Sequence, residues 1–291
     1  MQLNQNGGWT TIQSALQRDG FVYIPEFGAQ FSIQSPKDLS DALAAWPIEW
    51  SAYQFGQSRR TKLAGQIYTA SEYSPTRSFP THHELSYTPD PPKWIVFYAH
   101  KGAESGCMRL LDGRLLYESL QCSPWKDLLY SDVLYRKCMP SERRLGFGKT
   151  WQAHFEDSDP DGVTALLESN GISYKWLANG DLSVEYRTSL TREHPIGRVW
   201  YAQPRLWHLP FRGVDWFQNS MQPEYWPTAV QIGSETAISM PFLHWLDEQE
   251  QQNAKRIQID DGGLLILDNR RIAHGREPYL GTREHWVTMG S

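Results

Sequence analysis

Two stretches near opposite ends of the chain limit its architecture more than any other feature: KWIVFYAH at 93–100 and GGLLILDNRRIAHGREPYLGTREHWVTMG at 262–290. The first is rich in β-branched and aromatic residues and predicts a buried strand. The second reads as strand, tight turn, strand, loop, strand. Another strand, FVYIP, follows a short helix, TIQSALQRDG, which Thr10 or Thr11 would cap and Gly20 would stop. Ser35, Pro36 and Asp38 have the spacing of a capped helix start, running through LSDALAAW to Pro47. Strands at both ends with helices between predict a mainly β chain with helical decorations, a sandwich or barrel.

The middle is mixed. DPDGVTALLESNG predicts a helix ended by Asn170-Gly171, and ISYKWLANGDLSVEYRT a hairpin centred on Asn179-Gly180. FLHWLDEQEQQNA places Phe242, Trp245 and Leu246 on one helical face, with QEQQ as the solvated side. The 291 residues would make one large domain or two small ones, and neither a repeat nor a linker marks a boundary. At 40% hydrophobic and 21% charged residues, the chain can bury a sizeable core. A net charge of -5 without a Lys/Arg run argues against nucleic acid as partner. Three cysteines, Cys107, Cys122 and Cys138, with no CxxC pair predict reduced thiols in a cytoplasmic protein. The N-terminus lacks the pattern of a secretory signal, and no apolar run is long enough to span a bilayer, so no membrane partner is expected. The thirteen tryptophans predict a bulky core rather than an aromatic-lined pocket.

The chemistry-bearing stretch is FPTHHELSYTPDPP at 79–92. On a strand, side chains two apart share a face, so His82 and Glu84 would point together and His83 away. A His-x-carboxylate pair joined by a distant histidine forms the facial triad of non-haem Fe(II) enzymes, which leaves coordination positions open. Alone, HxE is a weak signal. The third ligand would come from His100, His154, His194, His208, His244, His274 or His285. His274 stands out because it follows a buried-looking strand and a polar turn, with Arg283 nine residues on.

Several segments in order resemble one family. THHELSYTPDPP, LGFGKTWQAHF, the NG hairpin, GRVWYAQPRLWHLP and LDNRRIAHGREPYLGTR are similar to segments of the taurine dioxygenase-like (TauD/TfdA) family, closest to its syringomycin-type amino-acid hydroxylase branch, related to clavaminate synthase. The resemblance covers roughly residues 20–290. It implies a double-stranded β-helix (jelly-roll, cupin-like) core in a single domain over 1–291, with a helical and hairpin insertion around 115–240. It also implies Fe(II) held by His82, Glu84 and His274, with 2-oxoglutarate as cosubstrate and O2 as oxidant.

Within that resemblance, Arg283 matches the arginine that clasps the far carboxylate of 2-oxoglutarate, a task suited to the guanidinium fork. Arg276 is the fallback and reads as structural. The family commonly has GGxT where this chain has SGCM at 105–108, so Met108 stands in place of a threonine hydroxyl. Loss of one hydrogen bond to a charged group costs roughly 1.5–3 kcal/mol, and His285 is placed to compensate. Ala202 occupies a position where the branch often has asparagine. Gln66, Tyr68 and Ser86 are candidate substrate contacts. Glu84 also argues against halogenation, because related halogenases replace this carboxylate with a small residue.

Two look-alikes fail. LGFGKT ends like a phosphate-binding loop, but Arg143 stands where the first glycine belongs. No serine sits in a GxSxG turn. The expected function is hydroxylation of an unactivated C–H of an amino acid or amino-acid-derived molecule, free or carrier-tethered, in specialised metabolism. The alternatives are a same-fold iron oxidase catalysing desaturation or cyclisation, or acting without 2-oxoglutarate, and a non-catalytic small-molecule-binding jelly roll.

Overall fold

A computed structural model describes residues 8–53, 56, 60–70, 73–208, 212–213, 220–233 and 238–291. Its larger sheet runs in the order β1 (Phe21–Ile24), β14 (Leu264–Asp268), β5 (Trp94–Lys101), β16 (Glu284–Gly290), β3 (Ile67–Thr69) and β2 (Lys62–Ala64), antiparallel throughout. A second antiparallel sheet has the order β13 (Lys255–Ile257), β6 (Met108–Asp112), β15 (Ile272–Arg276), β4 (Phe79–His82). These two sheets form the jelly roll. A further four-stranded sheet, built from β12 (Thr228–Ile232), β7 (Asp132–Met139), β9 (Leu182–Ser189) and β8 (Ser173–Trp176), comes wholly from the middle of the chain. So does the hairpin of β10 (Thr191–His194) and β11 (Gly197–Trp200).

The apolar runs lack polar alternation because the larger sheet is covered on both faces. Along β5, Ile95, Phe97 and Ala99 join a core with Met108 and Leu110 of β6, while Trp94, Val96 and Tyr98 pack under Ile12, Leu16, Leu39 and Leu43 of the N-terminal helices. β14 divides the same way, Leu265 and Leu267 inward, Leu264 and Ile266 toward the helices. Each such side chain fully buried contributes about 1.5–3 kcal/mol. A one-residue slip would exchange the two sets and move His285 out of the inter-sheet space.

The first helix spans Trp9–Asp19 with Gly8 as its N-cap, so Thr10 and Thr11 lie inside it rather than capping it. The earlier start lets the Trp9 ring reach Trp46 (5.4 Å) and Trp94 (5.9 Å), and aromatic burial outweighs a threonine cap worth about 1 kcal/mol. Gly20 ends the helix with φ 78°, where a Cβ would come within 2.6 Å of Ile272. The helix Pro36–Leu43 carries the expected capping box, Ser35 accepting from the Asp38 N–H and Asp38 from the Ser35 N–H. The helix Pro160–Ser169 is capped by Asp159 and closes at Asn170, and residues 177–181 join β8 to β9 through Gly180 at φ 82°.

One expectation fails within the helix Met240–Asn253. Glu250, assigned to the solvated QEQQ face, is 0% exposed. It lies on the same stripe as Phe242, Leu243 and Leu246, held there by two arginines described below. Cys107, Cys122 and Cys138 are free thiols. Among the described residues no helix is long and apolar enough to cross a membrane.

Candidate metal centre

The pairing of β15 with β4 sets His274 directly opposite His82, with ring centroids 4.5 Å apart. β4 ends at His82, so Glu84 lies in the following turn and not on the strand assumed from sequence. It still converges, for a different reason. The buried amide of Asn269, in the β14–β15 turn, accepts from the Glu84 N–H (2.7 Å) and donates to the carbonyls of Glu84 (3.0 Å) and Pro92 (2.8 Å). Leu85 then takes φ 55° to complete the turn. Glu84 Oε2 ends 4.0 Å from Nε2 of His82 and 4.0 Å from Nε2 of His274. One nitrogen or oxygen from each of these three buried residues lies within 4.8 Å of the others.

The donors are in the right chemical state for a cation. Nδ1 of His82 lies 3.1 Å from the Pro80 carbonyl; a proton on Nδ1 donates there and leaves the Nε2 lone pair facing Glu84. Burial lowers the pKa of His82, against the pull of Glu84, and holds His274 well below the ordinary histidine range, with His82 and Arg60 adding to the effect. Two neutral imidazoles and a carboxylate can bind a divalent ion without first losing protons from the rings. His83 points away, fully buried against Tyr201 at 4.5 Å, its pKa pushed down to about 3 by burial.

Beside the triad, Met108, Arg276 and Arg283 line one cavity with Phe97, Phe79, Tyr73, Arg60 and both histidines. Burial, with Arg276 nearby, pulls the Arg283 pKa down to about 10, and no carboxylate pairs with it among the described residues. Its Nη2 donates to Nδ1 of His285 (2.8 Å) and lies 3.8 Å from the Met108 sulfur. A guanidinium only donates, so His285 is neutral with its proton on Nε2. Arg276, although it lines the cavity, donates to the carbonyls of Tyr73, Ser74 and Glu277, which fits its structural reading.

Two contributors were missed from sequence. Arg60, whose side chain is 4% exposed, places Nη2 at 2.6 Å from Glu84 Oε2, and no motif marks it. Glu250 accepts from the Thr81 N–H (2.9 Å) and hydroxyl (2.8 Å) and pairs with Arg109 (2.7 Å) and Arg205 (2.5 Å), fixing the backbone immediately before His82. By contrast, Gln66, Tyr68 and Ser86 are absent from the cavity's lining. Tyr68 donates to Gln66, and Ser86 is buried in the turn after Glu84. Ala202 is buried elsewhere, its carbonyl accepting from the Trp200 indole. Among the described residues no tryptophan lines the cavity.

Two histidines and a carboxylate converge between the sheets of a jelly roll beside a buried arginine, a donor set suited to a single divalent metal ion. The chain belongs to the "Taurine catabolism dioxygenase TauD, TfdA family", whose model matches residues 1–289, and is an Fe(II)- and 2-oxoglutarate-dependent enzyme using O2. Among curated relatives, it is 25% identical over 267 residues to the dapdiamide synthesis protein DdaC of Enterobacter agglomerans, covering 89% of this chain and 79% of that one. A clavaminate synthase-like protein of Arabidopsis thaliana is 23% identical over 282 residues, 92% of this chain and 80% of the other. Among solved structures, a taurine dioxygenase from Burkholderia xenovorans superposes with TM-score 0.58 at 15% identity, covering 100% of this chain and 82% of that one. The non-haem iron oxygenase OrfP gives TM-score 0.55 at 11% identity, covering 98% and 80%.

Proposed function

We propose that His82, Glu84 and His274 hold Fe(II), that Arg283 clasps the far carboxylate of 2-oxoglutarate, and that the enzyme hydroxylates a C–H of an amino-acid-derived small molecule in specialised metabolism. The observation that carries the reading is the cross-strand pairing of His82 with His274 around Glu84. When bound, iron with 2-oxoglutarate and O2 supplies the oxidising power for C–H cleavage, with succinate and CO2 as coproducts.

The protein's part is placement. Pro80 and Asn269 orient His82 and Glu84. His285 aims Arg283 into the cavity, and Phe97 packs on the His274 ring at 5.1 Å. Met108 contributes a thioether where a hydroxyl would donate, so Arg283 carries the far carboxylate with less help. Glu84, a carboxylate at the third ligand position, favours hydroxylation over halide transfer.

The place in specialised metabolism is supported by the synthesis role in the name of DdaC, a relative matched over most of both chains. A substrate taken either free or tethered to a carrier protein and a cytoplasmic location belong to the same proposal, as does a single domain over 1–291 with an insertion around 115–240.

The test has two parts. Stoichiometric anaerobic Fe(II) binding is expected in the wild type and lost in His82→Ala and His274→Ala, and retention in both variants would refute the ligand assignment. Succinate release coupled to substrate oxidation is expected at one per turnover; oxidation without succinate would refute the reaction proposed.

A further inference from the structure

Arg60 is a buried cation with more donors than partners. Its Nη2 is used by Glu84 and Tyr53 interacts with the guanidinium, while Nε and Nη1 lie within hydrogen-bonding geometry of no acceptor among the described residues. The Tyr53 ring covers the guanidinium at 4.6 Å from its carbon, leaving the donor edges as the polar outlet. Arg60 lines the same cavity as His82, His274 and Arg283. The Glu84 oxygen it touches is also the one facing both histidine Nε2 atoms. A carboxylate oxygen has two lone-pair directions, so one can meet a metal ion while the other keeps Arg60.

The charge balance points the same way. Among the described residues no carboxylate lines the cavity, whereas Arg60, Arg276 and Arg283 do. Fe(II) and the 2-oxoglutarate dianion cancel one another, and Glu84 offsets one arginine. Positive charge remains in excess around the buried Arg60 and Arg276 side chains, where an unpaired ion is costly. Arg276 spends its donors on three carbonyls and Arg283 is taken by the cosubstrate. Among the described residues lining the cavity, Arg60 is the arginine with donors left.

We propose that Arg60 anchors an anionic group of the substrate, a carboxylate, beside the metal, its Nη2 staying on Glu84 while the remaining donors take the ligand. The inference rests on the proposed triad and names the recognition element for an amino-acid-like substrate: the acid end binds at Arg60 and the oxidised carbon lies further along the molecule. A guanidinium fits this task because its planar fork meets a carboxylate through parallel hydrogen bonds.

The test uses the full chain loaded with Mn(II) and saturated with N-oxalylglycine, a 2-oxoglutarate isostere that fills the cosubstrate position. Butyrate is the probe and butyramide its neutral isosteric control, each followed by paramagnetic relaxation of its methyl protons. Relaxation enhancement for butyrate and not for butyramide is expected in the wild type. In Arg60→Gln the butyrate affinity is expected to fall by roughly thirtyfold or more, the range for truncating one partner of a buried charge pair. Arg60→Lys keeps the charge without the fork and should fall between the two; it carries the comparison if the glutamine variant does not load with metal. Equal butyrate enhancement in wild type and both variants would overturn the proposal, as would the absence of any butyrate effect in the wild type. Mn(II) uptake unaffected by His82→Ala and His274→Ala would instead mark failure of the underlying triad, which separates the two outcomes.

Discussion

Replacing Glu250 with glutamine should destabilise the fold far more than a position in a glutamine-rich helix suggests. The carboxylate is 0% exposed and faces Arg205 at 2.5 Å and Arg109 at 2.7 Å. Glutamine can still accept from Thr81, so the change removes charge and little else. Stranding a buried ion costs about 3–5 kcal/mol; Asp247, 3.1 Å from Arg205, keeps the expected loss near the lower figure. At this chain length about 3 kcal/mol lowers Tm by roughly 6–12 °C. Glu250→Leu adds the stranded Thr81 N–H, a further ~1–3 kcal/mol. Combining Glu250→Leu with Arg205→Met should recover much of the loss, because an apolar replacement for a buried ion pair is often neutral. Calorimetry on the metal-free protein gives the stability. Mn(II) titration is expected to show affinity about tenfold weaker in Glu250→Gln, through the strand that carries His82. A glutamine variant melting within about 2 °C of wild type would refute the reasoning, since the two arginines would then not depend on this carboxylate.

Met108→Thr should tighten 2-oxoglutarate binding, by about tenfold for a hydrogen bond to charge worth roughly 1.5 kcal/mol, read from the anaerobic charge-transfer band; unchanged affinity would mean the hydroxyl does not reach the cosubstrate. His83→Leu should keep stoichiometric Fe(II) binding, whereas His82→Leu should abolish it, and the reverse result would exchange their roles. Lys137 is buried 3.4 Å from His154, and burial, with Lys149 nearby, lowers its pKa from 10.5 to about 7. The unfolded chain therefore binds the extra proton between about pH 7 and 10.5, so stability should rise with pH across that window and carry the full penalty below it. Lys137→Met should raise Tm at pH 7 and flatten that dependence in denaturant titrations; an unchanged slope would show that another group sets it.

Parts of the fold were legible because they depend on neighbours in sequence. The Ser35–Asp38 capping box, the Gly20 stop and the strand Trp94–Lys101 each follow from local hydrogen bonding or side-chain period. Thr10 and Thr11 misled because the start of that helix is set by where the Trp9 ring packs, a long-range term that outweighs a cap. Glu250 misled for the opposite reason: a carboxylate among glutamines reads as solvated until two arginines from other elements are known to face it.

The sequence by itself named the candidate ligand residue types and the arginine following the distal histidine, but its strand period did not account for Glu84, which lies in the turn after β4. Tertiary structure alone decided that His274 stands across the ladder from His82, that Asn269 holds Glu84 in place from 185 positions away, and that Arg60 touches that carboxylate. Local periodicity specifies which way a side chain leaves the backbone. Which distant groups meet there is fixed by strand register and by the need of each buried charge for a counter-charge, and neither is written in adjacent residues.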